Sequence, residues 1–196
     1  MNRVPESCEA EIEVKRSRFI ALLVPYVDFS GLQERLKREH PKASHVVYAT
    51  RHINEYGQIV ENSSDDGEPR GCAGQPVLNA LRGAELVESA LLVVRYFGGI
   101  KLGTGGMVRA YGAAAREVIE AARLEPWRPL GRLRFISGYN AQRQIHYLLE
   151  RLGIPPGTCR YEGEGVHWEL KAPNEDLERF RQEAGRLIRI SEEAGD

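Results

Sequence analysis

The residues best suited to chemistry lie in one glycine-rich run, RYFGGIKLGTGG, residues 95–106. From Ser89 to Arg116 there is no Asp or Glu, while Arg95, Lys101, Arg109 and Arg116 supply four positive charges. Gly98, Gly99, Gly103, Gly105 and Gly106 let a ligand approach the main chain or let φ turn positive. A helix starting at the end of such a run points unpaired N–H groups outward and adds its dipole to the positive potential. Tyr96 and Phe97 are candidate stacking platforms at the end of a strand. Cations, backbone donors and rings together suit a phosphate-bearing partner. The same residues are compatible with a plainer reading, in which the glycines permit tight strand–helix packing and the cations are solvated.

Spacing excludes two familiar nucleotide loops. After Gly98 and Gly103 comes Thr104-Gly105 rather than Lys-Ser/Thr, so the run is not a Walker A loop. Gly103 and Gly105 would need a third glycine at 108, which is Val108, so it is not a dinucleotide fingerprint. A second cluster, ENSSDDGE at residues 61–68, holds four carboxylates. Asp65 and Asp66 are candidate ligands for a hard cation such as Mg²⁺. The preferred expectation is that they pair with Arg95, Lys101 or Arg109 instead. The loop lacks the alternating ligands and distal Glu of an EF-hand.

The five histidines are scattered, and no nucleophilic triad can be assembled around them. His45 and His52 are seven residues apart on one expected strand and so project to opposite faces. Cys8, Cys72 and Cys159 form no C-x-x-C pair, which argues against a zinc ribbon or dithiol site. Cys72 reads as a small packed residue rather than a nucleophile. No cofactor is expected.

Several elements must position these residues. Strands are expected at 10–15 and 18–26, with a helix ending near Glu39 before Pro41. A strand at 44–51 pairs with one at 56–61 through the Asn54–Gly57 region. Residues 62–71 read as loop and 75–81 as a short helix. Ser89–Phe97 is nearly all apolar up to Arg95 and reads as a buried central strand. Residues 98–106 read as loop, followed by a helix over 107–123. Its expected stripe is Val108, Tyr111, Ala115, Val118, Ile119 and Ala122, with Arg109 and Arg116 on the opposite, open side beside Gly112 and Ala113.

Residues 125–131 form the expected linker. The boundary predicts a first domain at 1–129 and a second at 130–196. Beyond it the pattern gives a strand at 132–138, a helix at 141–152, strands at 159–162 and 166–172, a helix at 175–186 and a strand at 187–191. That order, βαββαβ, is ferredoxin-like.

The 196 residues carry a formal net charge of −1, so any nucleic-acid role must come from a local patch. No apolar run is long enough to span a bilayer, and the start lacks a signal-peptide core. The sparse, odd cysteine count suits a reducing compartment, and a cytoplasmic location is expected. Arg outnumbers Lys by 22 to 5, a bias of composition without functional content.

Residues 62–111 resemble the IMPACT/YigZ family. The carrying motifs are SDDGEPRGCAGQP at 64–76, VRYFGGIKLGTGG at 94–106 and VRAY at 108–111, with Arg18-Phe19-Ile20 and His45–Tyr48 as earlier landmarks. The tail resembles the bacterial branch. The resemblance implies an α/β first domain like domain 2 of ribosomal protein S5 and domain IV of the translocase elongation factor. It implies a ferredoxin-like second domain like that factor's domain V. Such a pair implies RNA or ribosome contact and a link to translation. Eukaryotic relatives regulate translation through an additional N-terminal domain not seen in this sequence, so their particular activity is not carried over. Cys72 stands where the family usually has Thr, which removes a hydroxyl.

The leading expectation is a non-enzymatic RNA- or ribosome-associated protein contacting phosphates through Arg95, Lys101, Arg109 and Arg116, with Tyr96 or Phe97 stacking. One alternative is a Mg-dependent nucleotide- or phosphate-binding enzyme, argued only by analogy of fold. The other is a protein-interaction module receiving an acidic partner. The oligomeric state is not legible.

Overall fold

The computed structural model describes residues 1–163 and 165–190. The chain divides into two units, Met1–Trp127 and a second beginning at Arg128. In the first, β1 (Asn2–Arg3), β2 (Cys8–Val14) and β3 (Ser17–Pro25) precede α1 (Leu32–Glu39). Then come β4 (His45–Ile53), β5 (Ile59–Ser64), α2 (Gly74–Gly83), β6 (Ser89–Tyr96), α3 (Gly103–Ala121) and β7 (Glu125–Pro126). Five strands form one antiparallel sheet in the order β2-β3-β6-β4-β5.

β6 lies at the centre of that sheet, and its alternating side chains enter two cores. Leu91 and Val93 pack under α2 and α3, against Val77, Leu81, Tyr111, Ala115 and Val118. Ala90, Leu92 and Val94 pack under α1, against Leu32 and Leu36. This is why the strand reads as a continuous apolar run rather than an alternating one.

The structure departs from expectation in several places. α3 begins at Gly103, not at residue 107, so Gly103, Gly105 and Gly106 belong to its first turn. Glycine content argues for a loop by propensity. The buried face of the 19-residue helix draws these positions into the helix instead. The buried stripe contains Met107, Ala110 and Ala114 in place of Val108, which is 41% exposed. Gly112 is buried and faces Pro76 of α2, so the expected flat open surface there is a helix–helix contact. The segment read as a linker is shorter, since β7 pairs with β1 and β8 begins at Leu130. β5 extends to Ser64, into the stretch read as loop.

The second unit runs β8 (Leu130–Ser137), α4 (Gln142–Leu152), β9 (Thr158–Glu162), β10 (Gly165–Pro173), α5 (Asn174–Ala184) and β11 (Ile188–Ile190). Its antiparallel sheet has the order β11-β8-β10-β9, the ferredoxin-like arrangement. Phe135, Val166, Trp168 and Leu170 face α4 and α5, meeting Ile145, Leu149, Leu177 and Phe180. The last strand was expected to reach Ser191, which lies outside the described residues. The fold is mixed α/β in both units, and no described helix is long and apolar enough to cross a membrane.

One close approach ties the β2–β3 hairpin to the chain leaving β6. The hairpin turns through Lys15 and Arg16, with φ of 48° and 65°. Left-handed φ at two non-glycine residues matches the strand twist of a tight hairpin, at a conformational cost that the flanking pairs must outweigh. The Arg16 carbonyl then meets Gly98 so closely that a Cβ there would stand 2.1 Å from the Arg16 carbonyl carbon and oxygen. Gly98→Ala should therefore lower stability by about 2 kcal/mol or more. Urea unfolding measures this, and an unchanged midpoint would mean that the hairpin yields freely.

Candidate functional site

At the end of β6 the strand, the acidic loop and α3 meet in a buried polar cluster. Arg95 and Glu68 form an ion pair whose side chains are only 6% and 4% exposed. The Tyr111 hydroxyl donates to Glu68 Oε1 at 2.8 Å. The Arg95 guanidinium lies over the rings of Phe19 and Phe97, at 5.6 and 5.8 Å from their centres. His45 Nδ1 lies 2.7 Å from the Asp66 carbonyl, which can only accept, so that nitrogen carries a proton. Its Nε2 then faces Glu68 Oε2 at 3.8 Å. Burial pushes the Tyr111 phenol far up, and the Glu68 charge adds to this, so Tyr111 stays a donor.

Arg95 was expected among the phosphate-contacting cations. It is buried, with its charge met by Glu68, and its role is to hold the frame. Nothing in the local sequence distinguishes it from Lys101, because the partner lies 27 residues earlier.

All four carboxylates of residues 61–68 have structural partners. Glu61 pairs with Arg51 and Arg82, and Arg82 chiefly holds its carboxyl below the ordinary value against the effect of burial. Asp65 accepts the N–H groups of Gly71, Ala73 and Gly74 at 2.7, 3.0 and 2.8 Å, anchoring the entry to α2. Asp66 accepts the Val46 N–H at 2.7 Å and pairs with Lys37. The pairing expected of Asp65 and Asp66 with Arg95, Lys101 or Arg109 therefore fails, and the carboxylate that meets Arg95 is Glu68. Those two carboxylates serve separate partners rather than one shared cation. Among the described residues no group of three or more His, Cys, Asp or Glu is placed to hold a metal ion.

The glycines divide by task. Gly98 donates its N–H to Ser17 Oγ at 3.1 Å and admits the hairpin. Gly99 and Gly103 adopt φ of 82° and 69°, conformations that disfavour a side chain. Gly105 and Gly106 lie in the first turn of α3, where no side chain caps the helix and no acidic residue stands. The positive end of a long helix is therefore left to other donors and charges.

Lys101, Arg109 and Arg116 are exposed. Arg109 and Arg116 are about 10 Å apart along the helix axis. Arg116 also lines a shallow groove between α2 and α3 with Pro76, Ala80 and Ile119. Tyr96 is half-buried, with its hydroxyl 2.7 Å from His40 Nδ1 and Arg18 over its ring at 5.2 Å. Phe97 is 50% exposed, with the Arg95 guanidinium over its ring, and Ile100 and Val108 are each 41% exposed.

Sequence reasoning missed Lys15 and Arg16. The hairpin carries both, exposed, to the glycine run some 80 residues later. No local signal reports that meeting, although a glycine with no tolerance for a Cβ is its footprint. Cys72 is buried in the core under α2 and α3, as a small packed residue.

A family model for the Impact N-terminal domain matches residues 15–119, a span that runs from the hairpin turn to the last turns of α3. The chain belongs to the IMPACT family. It is 34% identical to an IMPACT family member of Haemophilus influenzae over 194 residues, covering 94% of each chain. It is 36% identical to the IMPACT family member YigZ of Escherichia coli over 165 residues, or 82% of this chain and 76% of that one. A crystal structure of a hypothetical protein superposes with a TM-score of 0.70 at 28% identity, over 99% of this chain and 98% of the other.

Two predictions follow from the cluster and the loop. Glu68→Ala leaves Arg95 buried without its partner and should cost about 3–5 kcal/mol, much of it recovered when Arg95→Met is added. Chemical denaturation of the single and double variants tests this, and a single-variant loss below about 1 kcal/mol would indicate a solvated pair. For Asp65, burial pushes the carboxyl up, but the three N–H donors and the Arg70 charge outweigh it, leaving the pKa below the ordinary 3.8. Its stabilisation is therefore full above 3.8 and is lost as pH falls through the lower folded value. Asp65→Asn should be about 1 kcal/mol less stable at neutral pH. The gap to the parent should close on acidification, and thermal melts across pH would show a constant gap if the carboxylate charge were irrelevant.

Proposed function

We propose that this protein is a non-catalytic, cytoplasmic RNA- or ribosome-associated factor linked to translation. In the first unit its contact surface is the positive end of α3. The carrying observation is the uncapped, acid-free start of α3 with exposed Lys101 and Arg109 beside it, together with the hairpin of exposed Lys15 and Arg16, whose main chain packs against Gly98. Phosphate oxygens suit such a surface, since backbone N–H groups and long cations reach them from different directions. Arg116 extends the charge along the helix. Gly99 and Gly103 keep side chains away from the main chain there, and Arg95 with Glu68 keeps the loops in place. Family membership supports the assignment of these motifs, and the resemblance to translation-factor domains supports RNA as the partner.

The Mg-dependent enzyme reading loses its supporting residues, because Asp65 and Asp66 are engaged elsewhere. A protein-interaction reading has one observation in its favour. Phe97, Ile100 and Val108 expose apolar surface beside the cations, which suits an acidic, amphipathic segment of a partner.

Arg109→Glu, at an exposed position, should weaken binding to ribosomes or structured RNA by about tenfold at low salt and flatten the salt dependence by about one charge. Co-sedimentation and fluorescence anisotropy measure both. Unchanged affinity and slope remove this surface from the function. A pull-down that keeps its partner after nuclease treatment favours the protein-interaction reading instead.

A further inference from the structure

The second unit carries a charged surface that the first-unit site does not use. α4 and α5 cover one face of its sheet, and the alternate residues point to the other. On that open face stand Arg132, Arg134, Arg160, Lys171 and Arg189, all exposed. Register places Lys171 opposite Arg132, Glu169 opposite Arg134, His167 between Ile136 and Arg160, and Arg189 opposite Ile136. The cations therefore extend across all four strands.

Among the described residues, the carboxylates on this face are fewer than the cations. Glu169 is drawn between Arg132 and Arg134, at 3.8 and 3.3 Å. Glu162 stands at the end of β9. Arg160, Lys171 and Arg189 have no carboxylate partner among the described residues. A sheet face covered by no helix usually carries mixed charges in neutralising pairs. Here, among the described residues, the excess is of one sign.

We propose that this open sheet face is a second binding surface, for the sugar–phosphate backbone of double-helical RNA. Alternate residues on a strand stand about 6.6–6.8 Å apart, a spacing that can follow successive phosphates. Four of the five cations are Arg, whose planar guanidinium binds phosphate through paired donors. No Phe, Tyr or Trp ring of the described residues lies on this face, where His167 is the one ring: Phe135 and Trp168 are turned toward the helices, and Tyr161 stacks on Tyr139 on the other side. A surface with so little aromatic area reads backbone and shape rather than unstacked bases. The wide, shallow minor groove of an RNA helix accepts a broad sheet surface better than the narrow minor groove of B-DNA. His167 and Thr158, set among the cations, supply hydrogen-bonding groups for 2′-hydroxyls. Two shallow depressions share His167, one of about 570 Å³ reaching Arg186 and Arg189 and one of about 330 Å³ reaching Thr158 and Arg160.

The test uses the full chain and a short, mixed-sequence, labelled RNA duplex. Arg160→Glu with Lys171→Glu should weaken binding at least about tenfold at low salt and lower the slope of log K against log salt by about two. Arg143→Glu with Arg179→Glu makes the same change in charge at exposed positions on the helices and should bind as the parent does. A DNA duplex of the same sequence should bind more weakly. The proposal is overturned if the parent does not bind the duplex, if the sheet variant binds unchanged, or if the helix variant loses as much. Equal binding of DNA, or equal competition by polyglutamate, overturns RNA as the occupant. Arg109→Glu separates the two surfaces. Loss there with the sheet variant intact overturns this inference and leaves the first-unit surface standing, and the reverse result does the opposite.

Discussion

The first unit is organised around one buried ion pair. Arg95 comes from the central strand, Glu68 from a loop and Tyr111 from the long helix, and each gives up solvent to meet the others. Removing two charges from water costs several kcal/mol per ion before any attraction is counted. A phenol, two aromatic faces and an imidazole surround the pair and offset part of that cost, while Arg95 Nε stays buried without a hydrogen-bond partner among the described residues. The Tyr111 ring is itself held edge-on by Phe19, at 5.1 Å between ring centres. With these groups locked, the acidic loop cannot move independently of the strand that carries the glycine run.

That constraint explains the contrast between the two charged loops. The acidic stretch turns inward and spends its carboxylates on structure, with Asp65 acting as a remote cap for α2. The basic stretch keeps one cation inside and leaves the others in water. A surface assembled this way retains positive potential, because the nearest carboxylates already have partners. Steric economy completes it. Gly98 yields space to the hairpin backbone, which delivers two more cations without a ligand having to order them.

The second unit reaches a cationic surface by a different route. Its ferredoxin-like topology needs helices on only one face, so the other face is free to collect charge at alternate positions. In the first unit both faces of the sheet are covered by helices, and charge is confined to loop and helix ends. Two small architectures thus expose cations by different geometric means within a chain of net charge −1.

Periodicity alone determined most of the elements. The apolar run at 89–94, the break at Pro41 and the βαββαβ order of the tail are local signals, each set by the pattern of side chains along the backbone. The long motifs determined the family, since their order and length leave little room for coincidence. Tertiary structure decided what those motifs do. Whether Arg95 meets solvent or Glu68 depends on how a loop folds back over a strand end. Whether Gly103–Gly106 is loop or helix depends on the burial of residues further along α3. The company of Lys15 and Arg16 depends on a contact across more than 80 positions. A sequence reports which groups are available, but charge is spent or exposed according to distance and burial, and only the packed chain sets those.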